Sequence, residues 1–95
     1  MNNKIGILIM SNLEIFKKTE DINKKCHELN GIINNMLYYR IFRRSFVKNI
    51  IANIITDTKE LKKMYNHNMD RNMKEHIYIS MLRSSYILNK FKWAC

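Results

Sequence analysis

The stretch MLYYRIFRRSFVKN, Met36 to Asn49, holds Arg40, Arg43, Arg44 and Lys48 beside Tyr38 and Tyr39 and contains no acid. Guanidinium groups donate in a planar fork that matches phosphate oxygens, and tyrosine rings stack on unpaired bases, so these residue types suit a grip on a polyanion. On one helix Arg40, Arg44 and Lys48 share a narrow strip with Arg43 beside it, and like charges at three- and four-residue spacing repel. A polyanion would relieve that repulsion. So would Glu14, Glu20, Asp21 and Glu28, if the preceding helix packs alongside. A second acid-free stretch, Ile77 to Cys95, repeats the theme with Arg83, Lys90, Lys92 and Trp93.

A different chemistry is offered by RNMKEH, in which His76 follows Arg71 by five residues. Histidine moves protons near neutral pH and arginine holds phosphate. The hexapeptide resembles the Arg-(Asn/Asp/His)-x3-His signature of the HEPN ribonucleases, a family of compact all-helical proteins. That resemblance implies metal-independent RNA cleavage, with Arg71 and His76 handling the scissile phosphate and the 2′-hydroxyl, usually across a dimer. YYRIFRRS, Tyr38 to Ser45, is in turn similar to the Leu-Tyr-Arg stretch of the LYR accessory proteins of mitochondria. Tyr39 and Arg40 match, with Tyr38 in place of the leucine. This resemblance implies an acyl carrier protein and a respiratory or iron–sulfur assembly complex as partners.

Other site chemistry is missing from the sequence. Cys26 and His27 are adjacent and so point to different sides of a helix, and no spacing resembles a zinc or di-iron set. Gly6 and Gly31 stand alone, without a phosphate-cradling glycine loop. No metal, cofactor or catalytic residue is expected.

The elements that must carry these side chains read as helices. Ile5–Met10 is too short an apolar run to span a bilayer and is expected as a packed N-terminal arm, with Met10 a second candidate start. Ser11 and Glu14 form a capping box, Ile15, Ile22, Leu29 and Met36 recur every seven residues, and Gly31 offers a stop. Together these predict a first helix over 12–30. Apolar positions at intervals of three and four then predict one long helix over 32–55. Thr56 or Asp57 starts a third helix, carrying Leu61, Met64 and Tyr65. NHNMDRN, Asn66 to Asn72, reads as a turn, and a fourth helix runs over 70–92 with Met73, Ile77, Met81, Leu82, Tyr86, Leu88 and Phe91 inward. The fold class is all-α: a small antiparallel three- to four-helix bundle in a single domain, residues 1–95.

Seventeen Lys and Arg against eight Asp and Glu leave a formal charge of +9, which draws phosphate-rich partners and anionic surfaces. The abundance of Ile, Asn, Lys, Tyr, Met and Phe also matches an AT-rich coding sequence, which accounts for part of the lysine excess. At 46% hydrophobic content the chain has the apolar area to fold, and folding at this length removes roughly 60–65% of the unfolded surface from water. The two cysteines lack paired spacing, and an intracellular, reducing compartment such as the cytoplasm is expected. The expected activity is binding rather than catalysis. RNA or DNA ranks first as ligand, an acidic protein second and anionic lipid third, with the named basic and aromatic residues making contact. The competing class is a helical adaptor or inhibitor docking through methionines such as Met64, Met69 and Met73.

Overall fold

In the computed structural model, which describes residues 3–38 and 42–95, Ile5, Ile9, Leu13 and Phe16 recur every three or four residues and form the buried face of helix α1, Asn3–Lys18. Helix α2, Ile22–Tyr38, answers with Leu29, Ile32, Ile33 and Met36, each at most 1% exposed. Helix α3, Arg44–Met64, adds Val47, Ile50, Ile51, Ile54 and Leu61, and α4, Arg71–Lys90, adds Ile77 and Ile87. These side chains form a single core cluster. Each large one contributes about 1.5–3 kcal/mol of burial. A 3-10 turn, Lys92–Ala94, lies against α3 and closes the chain. Among the described residues no helix is long and apolar enough to cross a membrane.

Cross-helix contacts fix the directions. Asn12 Nδ2 donates to Glu28 Oε2 at 3.1 Å and Lys25 Nζ to the Phe16 carbonyl at 2.5 Å, so α1 and α2 run antiparallel. Thr58 Oγ1 donates to Ser84 Oγ at 3.0 Å while Arg44 reaches Trp93, so α3 and α4 are antiparallel too. Contacts of Asn23 with His76 and of Ser80 with Asn30 set α2 and α4 parallel. The chain goes up, down, up, down, with α2 packed on all three other helices.

The bundle is as expected; several helix ends are not. Ile5–Met10 is packed, but as the first turns of α1, and Ser11 sits inside that helix rather than capping one. The break falls instead at Thr19–Asp21. There Thr19 Oγ1 accepts the Asp21 N–H at 3.2 Å, and Asp21 Oδ1 accepts the Asn23 N–H at 3.0 Å, a side-chain cap on the first turn of α2. Gly31 continues α2 without a positive φ. Its use is close approach, because a Cβ there would stand 3.1 Å from Asn12 Nδ2, the group that bonds Glu28. The expected long helix over 32–55 is divided, since α2 ends at Tyr38 and Phe42 and Arg43 are not helical. Thr56 and Asp57 lie within α3, where Thr56 Oγ1 bonds back to the Ala52 carbonyl at 3.1 Å. The turn before α4 forms as expected, but Leu82 and Tyr86 face outward, and small Ser80 and Ser84 take the inward positions.

Where α1 ends, a buried cation does the capping. The Phe16 carbonyl belongs to the last turn and has no intrahelical donor. Lys25, 4% exposed, fills that role and also meets Glu60 Oε2 at 2.7 Å and the Phe16 ring at 4.3 Å from its centroid. Asp57 is buried nearby, and its Oδ2 has no hydrogen-bond partner among the described residues. Burial pushes its carboxyl up to about 6; Lys17 and Lys25 pull it down and Glu60 pushes it further up.

Candidate nucleic-acid interface

The basic residues do not form a strip on one helix. Arg40 and Tyr39 lie outside the described residues, and with them the centre of the stretch similar to Leu-Tyr-Arg. Arg43 precedes α3 in extended backbone with φ −65° and ψ 144°, Arg44 opens the helix, and Lys48 follows one turn later. All three are exposed. The ion pairs between described residues join Lys18 to Glu14, Lys25 to Glu60 and Arg71 to Glu75, so none reaches Arg43, Arg44 or Lys48. The carboxylates of the preceding helices are therefore not what neutralises this cluster.

What the fold does instead is join the two acid-free stretches. Arg44 Cζ lies 4.4 Å from the centroid of Trp93, and Trp93 also meets Phe91 edge-on at 6.4 Å. The cation–π contact places the Arg44 guanidinium over the Trp93 ring. Lys92 is the neighbour of Trp93, and Lys90 Nζ stands 5.7 Å from the Tyr86 ring centroid. Tyr38 ends α2 at the same end of the bundle, 80% exposed.

Following the helices up and down extends the pattern to every side-chain carboxylate. Glu14, Glu20, Asp21 and Glu28 surround the α1–α2 turn, and Asp57, Glu60, Asp70 and Glu75 surround the α3–α4 turn. Antiparallel packing puts both turns at one end, so all eight side-chain carboxylates lie in that half of the bundle. The other half holds the start of α1, the end of α2, the start of α3 and the end of α4. Its described cations are Lys4, Arg43, Arg44, Lys48, Arg83, Lys90 and Lys92. No spacing rule within a single helix could have revealed this, because neither Lys4 nor Arg83 is near the arginine cluster in sequence.

The first turn of α3 sharpens the imbalance. It has no side-chain cap and no acid, and two arginines stand where the peptide dipoles already concentrate positive potential. An anion at this corner meets exposed N–H groups, guanidinium forks and no competing carboxylate.

The other candidates are separated by the fold. His76 lines a groove with Asn23, Cys26, His27 and Asn30, whereas Arg71 lines a different one with Tyr65 and Tyr78, and Arg71 is paired with Glu75 at 3.5 Å. Within one chain these two residues do not converge. Met64, Met69 and Met73 are half-buried, and Met69 packs against the core. Among the described residues no group of three His, Cys, Asp or Glu side chains comes together as a metal site. No family model, curated protein or solved structure matches the chain.

Proposed function

We propose that the protein binds nucleic acid, RNA or DNA, through the acid-free end of its bundle. The observation that carries this reading is the segregation of the acids: seven described cations and no side-chain carboxylate at one end, and nine cations offset by all eight carboxylates at the other. Phosphates entering that end displace counterions and relieve repulsion among Arg43, Arg44 and Lys48. Arg44, held over Trp93, would make directed contacts, and Lys90 beside Tyr86 and Lys92 would add to the field.

Fluorescence anisotropy of a labelled oligonucleotide across a salt series tests the reading. If the end engages about four phosphates of a single strand, the log–log salt slope is near −3. Absence of binding at low salt, or affinity indifferent to salt, would falsify it. Docking to an apolar protein surface would show the second behaviour.

A further inference from the structure

From the structure we infer that the groove between α2 and α4 is a binding site for an unpaired nucleotide of a single strand whose backbone lies on the basic end. This rests on the nucleic-acid reading above and adds to it a place where a base goes. The two helices run parallel without a direct connection and leave two adjoining hollows along their seam. The upper one, ≈ 280 Å³, is lined by Asn23, His27, Asn30, His76 and Arg83. The lower one, ≈ 380 Å³, is lined by Ile33, Asn34, Leu37, Leu82, Arg83 and Tyr86. Arg83 lines both and stands where the two adjoin.

Both hollows join apolar lining to polar side chains, the mixture a nucleotide requires. At the lower end, toward the basic surface, the Tyr86 ring is 57% exposed with the Lys90 ammonium beside it, and apolar Leu37 and Leu82 flank it. A base has an apolar face to stack there, and its phosphate has Lys90 and Arg83 within the same neighbourhood. At the upper end Cys26 and Ile79 stand with the amides of Asn23 and Asn30 and the imidazoles of His27 and His76, polar groups that can hydrogen-bond base edges. Asn23 Oδ1 holds His76 Nδ1 at 2.7 Å, and Asn30 Oδ1 accepts from Ser80 Oγ at 3.3 Å, so both amides are already oriented. No carboxylate lines either hollow, which disfavours a basic peptide as occupant. A duplex must unstack and unpair a base, at a cost of a few kcal/mol, before one can enter the groove, which therefore favours single strands over paired ones.

Two neutral substitutions test this without altering the field of the basic end: Tyr86→Ala, which removes the stacking face, and Asn34→Phe, which fills the lower hollow. Both positions are exposed, and circular dichroism with a melting curve verifies that each variant folds. Binding is measured by anisotropy with a labelled oligoadenylate RNA, the same sequence as DNA, and an RNA duplex of equal length. Each variant is expected to weaken the two single strands about tenfold, as loss of one stacked base does, while duplex affinity and the salt slope stay as in the native protein. Single-strand affinity within twofold of native in both variants overturns the groove assignment. So does an equal loss for strand and duplex, or a native preference for the duplex. If the native protein binds none of the three probes at low salt, the nucleic-acid reading itself fails and the groove inference falls with it.

Discussion

Replacing Arg43 and Arg44 by glutamine, and in a separate protein Lys62 and Lys63 by glutamine, removes the same two charges from opposite ends of α3. All four side chains are exposed, so neither pair disturbs the core. Arg44 and Lys62 are eighteen residues apart, about 27 Å along the helix at 1.5 Å per residue. At 0.1 M salt that is nearly three Debye lengths of about 10 Å, which reduces the influence of the distant pair on a bound strand to under about a tenth. For the near pair, each lost phosphate contact flattens the single-strand salt slope by ~0.7, so two flatten it by ~1.4 and weaken binding about 25-fold at 0.1 M relative to 1 M. Anisotropy over a salt series reads slope and affinity together. The expected result is a flattened slope for Arg43→Gln/Arg44→Gln and a native one for Lys62→Gln/Lys63→Gln. Equal weakening by both pairs would show that affinity follows net charge, and the placement of the carboxylates would then explain nothing.

Three further outcomes follow from particular contacts. Trp93 is the only tryptophan, and its emission is expected to change when Arg44 becomes Gln and when an oligonucleotide is added; a spectrum unmoved by either would separate the indole from the site. Lys25→Met keeps the buried stem but leaves the Phe16 carbonyl without its donor, a loss of about 1–2 kcal/mol that lowers Tm by ~4–16 °C in a domain of this size. The half-exposed Glu60 adds little to that figure, and an unchanged Tm would rule out the capping role. Asp57, raised from 3.8 to about 6 chiefly by burial, holds its proton in the fold after the unfolded chain has released it. Stability is therefore lost as pH rises between those values, by about 3 kcal/mol at neutral pH. Asp57→Asn should gain about 1–3 kcal/mol in urea unfolding at pH 7.5 and nothing at pH 4; a loss at both pH values would refute the assignment.

The helical class and the turn at Asn66–Asn72 were legible because apolar periodicity and backbone-bonding side chains act locally. The ends of α1, α2 and α3 were not, for an identifiable reason. Ser11, Gly31, Thr56 and Asp57 carry cap or stop chemistry, yet each is spanned by a helix whose buried stripe continues on both sides, and burial of Leu13, Leu29, Ile32, Ile54 and Leu61 outweighs a cap worth about 1 kcal/mol. The real break at Thr19–Asp21 uses the same kind of residue, but there Lys25 folds back to complete the last turn of α1, a contact nine residues away that no local pattern announces. The outward position of Tyr86 was missed because apolar periodicity favoured a wider stripe than α4 buries. Ser80 and Ser84 let α2 and α3 approach closely enough for hydrogen bonds to Asn30 and Thr58.

The candidate site was half legible: the acid-free runs could be read directly, but their convergence depends on topology. An AT-rich coding sequence would account for the abundance of lysine; it would not account for where the acids are missing. Carboxylates occupy 14–28 and 57–75 and are absent from 1–13, 29–56 and 76–95. The alternation has the period of two helices, so an up-down-up-down bundle stacks every acid-bearing turn at one end and every acid-free segment at the other. Any parallel arrangement of neighbours would have mixed them. A composition bias acting uniformly along the gene has no access to that period. The antiparallel fold turns a modest excess of positive charge, spread through the sequence, into an acid-free cluster of cations at one end of the bundle, and it leaves Arg44, Trp93 and the lower hollow of the α2–α4 seam at that end.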